Sequence, residues 1–309
     1  MSTLFSRFFT KINQISPLEA NFTEVLDAIA VKPKTLYFYG KMPENVVKNG
    51  KSERPKTVAI VGSRHNTRYG EEIAYKLAYE LGKRGVIVVS GLAYGIDSIG
   101  HRGCLDAGGT TVAVLGTCIN NIYPKAHIPL AAEIIKKSGV VMGEYAPNAA
   151  VFTKTSFLER NRLISGLSDI VVVVEAAERS GTLNTATHAL DQGKTVFAVP
   201  GNITNIYSKG CNNLIKQGAN PYTEPDDVLR ELFPEEYVKK HRKSTKIGQI
   251  HGDTLEETAI LRALATGLSS GSEIAEKMDL TPEVFNRTIS MLEIKGRVMP
   301  LGANHWGLI

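Results

Sequence analysis

No apolar run in these 309 residues approaches the ~20 that a membrane-spanning helix needs, so no helical membrane span is expected. Met1 to Ile12 holds Phe5, Phe8 and Phe9 but neither a long apolar core nor a small-residue cleavage site, and is not expected to be a signal peptide. Cysteine is scarce: Cys104, Cys118 and Cys211 are odd in number, widely spaced and without a Cys-x-x-Cys pair. That argues against a disulfide framework and a zinc site, and for reduced thiols in a cytoplasmic protein. Gly-x-Gly-x-x-Gly is missing, and Gly-x-Ser-x-Gly occurs only as Gly267–Gly271, between two helical patterns rather than after a strand, so neither the dinucleotide fingerprint nor the hydrolase nucleophile elbow is expected. Gly193-Lys194-Thr195 imitates the end of a P-loop, but His188 stands where the first glycine belongs and the stretch precedes a strand. ATP hydrolysis is therefore not expected. His101 and His188 lie in helical patterns with no metal-spaced partner and read as structural. No metal, no cofactor and no catalytic residue is expected.

A surplus of one charge sign is also missing from most of the chain. The net charge is +5, from 36 basic and 31 acidic residues. Lys239, Lys240, Arg242, Lys243 and Lys246 lie in one acid-free segment, and without them 31 basic residues face 31 acidic ones. The excess is a basic linker, so an anion site in the main body must be a local arrangement rather than a bulk field.

What is present is an alternation of buried-strand and helix patterns. Val58–Val61 is apolar on both faces, as a strand inside a parallel sheet must be, and stops at Gly62-Ser63-Arg64. A helix follows near Glu71–Arg84, then a strand at Val86–Val89, a helix to about Asp106 and a strand at Thr111–Leu115. Next come a helix at Pro129–Lys137, a strand at Val140–Gly143, a helix from Phe157 to about Leu167 and the aliphatic strand Ile170–Val174. A helix to about Gln192 and the strand Thr195–Val199 complete the series. This predicts an α/β fold, an extended Rossmann-like, doubly wound, mostly parallel sheet. Pro33–Gly40 reads as a possible first strand at the domain's edge, residues 1–35 as a short, partly helical extension, and Lys48–Lys56 as a loop. The domains expected are 1–35, a Rossmann-like body at 36–233, the linker at 234–253 and a small unit at 254–309. That last unit, with helical patterns Leu255–Ala265, Gly271–Met278 and Thr281–Lys295 and a ribbon around Gly302 to Asn304, outlines a winged helix.

Ligands of open parallel sheets bind outside the carboxyl ends of the strands. Four loops should gather there: Gly62-Ser63-Arg64, Ser90-Gly91-Leu92-Ala93, Arg179-Ser180-Gly181-Thr182 and Pro200-Gly201-Asn202. Each can present backbone N–H groups to an anion, and Arg64 adds a guanidinium fork. Phe157 with Arg160, Asn161 and Arg162 adds an aromatic face and two cations, a combination suited to single-stranded nucleic acid. The competing reading is a core Phe157 with arginines paired to Glu159 or Glu175. Asp97 is expected to cap or pin the helix after the second strand. Tyr69, Tyr94 and Tyr145 are further stacking candidates, with buried packing as their alternative.

Gly62-Ser63-Arg64, Ser90 to Asp97, Gly108 to Gly116, Tyr123-Pro124, Phe157 to Ile164, Ser180 to Ala186, Phe197 to Gly201 and Gly218-Ala219 occur in this order. Together they resemble the DNA-processing protein A (DprA/Smf) family over roughly residues 33 to 230. The resemblance implies a Rossmann-like protein that binds single-stranded DNA, forms a homodimer, protects incoming DNA and loads the RecA recombinase in natural transformation. It implies that Arg64 binds a backbone phosphate, that Phe157 and Arg160 to Arg162 line the DNA pocket, and that Ser180–Thr182 holds a phosphate. The carboxyl-terminal unit resembles the accessory winged helix of many members.

Two departures stand out. Some 30 residues before the first strand leave little room for the helical amino-terminal domain common in the family. Gly116-Thr117-Cys118-Ile119-Asn120-Asn121 lacks the family's usual second glycine and acid. Phage or mobile-element biology is thus an alternative setting. Two other functions compete: a nucleotide-sensing module, and a nucleoside-monophosphate phosphoribohydrolase. The second lacks its carboxylate, since Leu183-Asn184-Thr185-Ala186 follows Thr182. In the winged helix, Arg287, Lys295 and Arg297 stand among Glu283 and Glu293, which leaves duplex reading and protein contact as alternatives.

Overall fold

Branched aliphatic residues on both faces of a strand demand cover on both faces, and the main body is built around that demand. A computed structural model describes residues 9, 11–48, 51–151, 153–234, 251–302 and 304–308. It divides into two compact units, Met1–Leu232 and Phe233–Ile309.

In the first unit, strands β1 (Asn13–Ile15), β2 (Leu36–Gly40), β5 (Thr57–Val61), β6 (Ile87–Ser90), β7 (Thr111–Leu115), β8 (Val140–Gly143), β9 (Ile170–Val173), β10 (Thr195–Ala198) and β11 (Asn220–Pro221) form one sheet; β3 (Val46–Lys48) and β4 (Lys51–Glu53) pair separately. The order is β1-β2-β8-β7-β6-β5-β9-β10-β11. From β8 to β11 every pairing is parallel, whereas β2 runs antiparallel to both β1 and β8. Every residue of β5 and β9 is buried, with Val58 opposite Ile170 and Val61 opposite Val173. The chain winds outward from β5 through β6 and β7 to β8, then returns to place β9 on the other side of β5. The topological switch point lies between β5 and β9.

Helices α1 (Arg68–Lys83), α2 (Ile96–Asp106), α3 (Ile128–Lys136), α4 (Lys154–Gly166), α5 (Thr182–Asp191), α6 (Lys209–Lys216) and α7 (Pro225–Leu232) accompany the sheet. Leu163 and Ile164 of α4, Ala186 and Ala189 of α5 and Cys211 and Leu214 of α6 join one core with Ala59, Val61, Val171 and Val173. Leu105 of α2 and Leu130, Ala131 and Ile134 of α3 form another with Ala113, Leu115 and Val141.

The edges differ from the sequence reading. The described residues before 36 are no separate extension: β1 pairs with β2, and Phe22, Leu26 and Ile29 enter the core beside Leu163 and Leu167. The apolar residues of this stretch follow neither a helical nor an alternating period long enough to announce this. Lys48–Lys56, read as a loop, contributes β4 to a short hairpin. Val47 there is 79% exposed, so the hairpin has no buried face to impose alternation. The two-residue β11 is shorter than any pattern could mark.

In the second unit, α8 (Leu255–Ala265), α9 (Gly271–Lys277) and α10 (Pro282–Ile294) precede the antiparallel strands β12 (Val298–Gly302) and β13 (His305–Leu308), a winged-helix arrangement. Ile260, Leu264, Ile274, Phe285, Ile289, Leu292 and Val298 form its core. Thr254, Ser270 and Thr281 each accept a backbone N–H as helix N-caps. Lys295 just after α10 is held 2.6 Å from both Asp253 and Glu257, and Arg297 donates to the carbonyl of His251. Both cations therefore make contacts within their own unit. The basic run Lys239–Lys246 lies outside the described residues.

Candidate nucleic-acid interface

The loops after β5 and β9 open onto a pocket of about 560 Å³ at the switch point. Gly62, Ser63 and Arg64 form one wall, and Ser180, Gly181 and Thr182, at the start of α5, form another. Thr182 ties the two together by donating its hydroxyl to the carbonyl of Gly62 at 3.0 Å. The third wall is α4. Lys154, Phe157, Leu158 and Asn161 follow one helical stripe and all line the pocket. Thr153 starts this helix by accepting the N–H of Ser156, whose hydroxyl in turn accepts the N–H of Thr153.

Arg64 is exposed and its guanidinium lies 5.7 Å from the centre of the Phe157 ring. Among the described residues no carboxylate pairs with it. A guanidinium over an aromatic ring and without a carboxylate partner keeps donors for a phosphate. The Tyr123 ring tilts against Phe157 at 5.9 Å, extending the aromatic surface.

Arg160 behaves otherwise. It lines the pocket but is 5% exposed, donating to the carbonyls of Gly91, at 2.8 Å, and of Val114. A Cβ on Gly91 would fall 2.4 Å from that guanidinium, so this loop position requires glycine. Burial pushes the Arg160 pKa down to about 10, opposed by the nearby Asp97 carboxylate, and it stays cationic at neutral pH. Asp97 sits above the usual carboxylate range because it is buried, with Arg160 and the Ala93 and Gly91 N–H groups pulling it back. The helix it was expected to cap instead has Gly95 at its N-cap; Asp97 accepts the N–H groups of Gly91 and Ala93 and so pins the loop after β6.

Of the residues singled out from sequence, Gly62, Ser63, Arg64, Phe157, Arg160, Asn161, Ser180, Gly181 and Thr182 share this pocket, and Gly91 lines a small hollow beside it. Ser90, Arg162 and Gly201 do not line either. Ser90 is fully buried and donates to the carbonyl of Ile60. Arg162 is two positions from Arg160, about 200° around the helix, and so leaves on the opposite flank. It forks both oxygens of Glu144 at 2.8 Å and donates to the carbonyl of Val31. The pairing expected for a structural arginine does occur, with Glu144 rather than Glu159 or Glu175. Gly201 is turned towards α6, exchanging hydrogen bonds with the Asn212 side chain, and a Cβ there would lie 2.2 Å from Ser208 Oγ. Sequence reasoning missed His65, Lys154 and Tyr207. Lys154 was recoverable, since it precedes Phe157 by three residues and shares its helix face.

Among the described residues, no cluster of histidine, cysteine, aspartate or glutamate side chains could hold a metal ion, and no helix is long and apolar enough to cross a membrane. The three cysteines are free and buried.

The strand order and this edge define a Rossmann-like protein whose switch point carries a cationic, aromatic-walled pocket. Comparison with known proteins gives the family. The profile described as DNA recombination-mediator protein A matches residues 13–233, and the chain belongs to that family. It is 46% identical over 175 residues to Protein Smf of Escherichia coli, a match covering 57% of this chain and 46% of that protein. It is 36% identical over 228 residues to DNA processing protein DprA of Bacillus subtilis, covering 74% and 73%. The X-ray structure of DprA from Streptococcus pneumoniae superposes with a TM-score of 0.63 at 35% identity, over 75% of this chain and 78% of that one. A Helicobacter pylori structure, described for the single-stranded DNA binding mode of its DNA processing protein A, gives a TM-score of 0.63 at 29% identity over 74% and 98%. The chain spans about half the length of the Escherichia coli relative and 62% of the Mycobacterium tuberculosis ones.

Proposed function

We propose that this chain binds single-stranded DNA at the switch-point pocket, as a non-catalytic DNA-processing protein of the cytoplasm. The observation that carries the reading is Arg64: an exposed guanidinium without a carboxylate partner among the described residues, beside Phe157 in a pocket flanked by the start of α5. A backbone phosphate satisfies the fork, and a base stacks on the aromatic surface. Membership of the family and the single-stranded DNA binding of the Helicobacter pylori relative support the same ligand. Protection of incoming DNA, loading of RecA and action as a homodimer belong to the proposal through family membership alone.

A non-catalytic role draws support from the one carboxylate lining the pocket among the described residues, Asp97. Its oxygen accepts two backbone N–H groups beside a buried arginine, a structural employment that leaves it poorly placed to activate water.

Fluorescence-anisotropy titration of labelled single- and double-stranded oligonucleotides tests the reading. Wild type should prefer the single strand, and binding should weaken with added salt as counterions are released. Arg64→Ala should weaken it by about 1–3 kcal/mol, the range for a charge-assisted contact. Unchanged affinity in a folded Arg64→Ala variant would remove the pocket from the proposal. Saturable mononucleotide binding in preference to oligonucleotides would replace it with a nucleotide sensor.

A further inference from the structure

Beside the main pocket lies a hollow of about 30 Å³, walled by Arg64, Gly91, Ala93, Tyr94, Tyr123, Pro124, Phe157 and Arg160. It shares Arg64, Ala93, Tyr123, Phe157 and Arg160 with the larger pocket, so the two adjoin. Its volume is about that of one water molecule, too little for a base. Its rim, however, is aromatic and open: Tyr94 is 47% exposed and Tyr123 is 38% exposed.

Tyr94 is an exposed side chain on a rigid mount. The turn before it includes Leu92 in the left-handed region, at φ 59°, and the turn after it is Gly95 at φ 74°. Asp97 accepts the N–H groups on either side of Leu92, and His127 Nδ1 lies 2.8 Å from the Leu92 carbonyl. The His127 ring also meets the Tyr94 ring edge to face, at 4.9 Å and 65°. Folding ordinarily covers a large aromatic side chain or leaves it mobile on a loose loop. Here the loop is pinned from both sides and the ring still faces solvent beside two cations.

We propose that Tyr94, with Tyr123 across the hollow's rim, forms a second base-stacking step, next to the one at Phe157. It takes the base of a nucleotide adjoining the one whose phosphate Arg64 holds. Stacking on tyrosine is indifferent to base identity and needs no hydroxyl, because every base presents a π face. This rests on the single-strand reading above and extends it from a phosphate pocket to a track of at least two nucleotides.

The test uses the full chain and three labelled probes: (dT)15, the same length of abasic deoxyribose phosphate, and (dT)15 carrying 5-iodouracil. Tyr94→Ala should bind (dT)15 about tenfold more weakly than wild type, while Tyr94→Phe stays within about twofold. On the abasic strand Tyr94→Ala and wild type should bind alike, because no base is left to stack. Irradiated 5-iodouracil should cross-link to Tyr94 or Tyr123. A Tyr94→Ala variant that matches wild type on (dT)15 while Arg64→Ala is impaired would overturn the second step and leave the pocket standing. An equal loss on thymidine and abasic strands would overturn it too. If Arg64→Ala and Tyr94→Ala both bind as wild type, the pocket reading falls with it.

Discussion

At each end of the β5–β9 pair an arginine lies over a phenylalanine ring, and the two pairs differ in what surrounds the guanidinium. At the amino end, Arg54 sits 5.3 Å from the ring of Phe22. All three of its nitrogens are engaged: Nε on the carbonyl of Phe22, the terminal nitrogens on Asp169, Thr57 and the carbonyl of Leu167. Asp169 also accepts the N–H and hydroxyl of Thr57. At the carboxyl end, Arg64 lies 5.7 Å from Phe157 with no carboxylate paired to it among the described residues. The same chemical pair is a clasp where acceptors surround it and, where they do not, the surface proposed to bind DNA. Free donors, rather than the presence of arginine, distinguish the edge proposed to bind DNA.

The comparison predicts a separation of stability from binding. The largest effect falls on Arg160, which touches the pocket yet is bonded like Arg54. Arg160→Ala leaves Asp97 buried without its counter-charge and should cost about 3–5 kcal/mol of stability by urea denaturation. That loss should shrink as pH falls, because the Asp97 carboxyl, already raised by burial, then takes up a proton and ceases to be a buried charge. A loss below about 1 kcal/mol would place Arg160 with Arg64 as a ligand-facing residue.

Asp169→Ala should follow at about 2–3 kcal/mol, since it strands the donors of Arg54 and Thr57. DNA affinity measured well below the melting temperature should be unchanged, and a fall in affinity would break the division between the two ends.

His101 offers a smaller handle on the core behind the pocket. Its Nδ1 lies 2.7 Å from the Thr111 hydroxyl, which donates its own proton to the carbonyl of Val88. Nδ1 therefore carries the imidazole proton, and Nε2 is buried without a partner among the described residues. Burial lowers the His101 pKa from 6.5 to about 3. The unfolded chain binds the extra proton first, so stability falls as pH drops below about 6.5, by about 2 kcal/mol between pH 7 and pH 5. Denaturation of His101→Gln at both values should show that much less pH dependence; an equal dependence would remove His101 as its source.

The smallest stability effect belongs to Arg64→Ala, within about 0.5 kcal/mol, as for an exposed side chain with no ion-pair partner among the described residues. Set against its loss of binding, this is the inverse of Asp169→Ala. If Arg64→Ala destabilises the fold as much as Asp169→Ala does, the two ends are alike after all.

Residue order alone determined the strands from β5 to β10 with their helices, and the three helices and ribbon of the second unit. Doubly buried aliphatic runs and helical stripes are local patterns, and Thr111–Leu115 and Val140–Gly143 needed no partner to be read. The switch-point loops were legible for the same reason: glycine and small polar residues interrupt those runs. Tertiary structure alone decided which cations remain available. Arg64, Arg160 and Arg162 are one residue type in sequence. Their difference comes from acceptors far along the chain, the carbonyls of Gly91 and Val114 for one and Glu144 with Val31 for another. It also decided that Phe22, Leu26 and Ile29 belong to the core, because burial depends on what folds over a residue rather than on its neighbours in the chain.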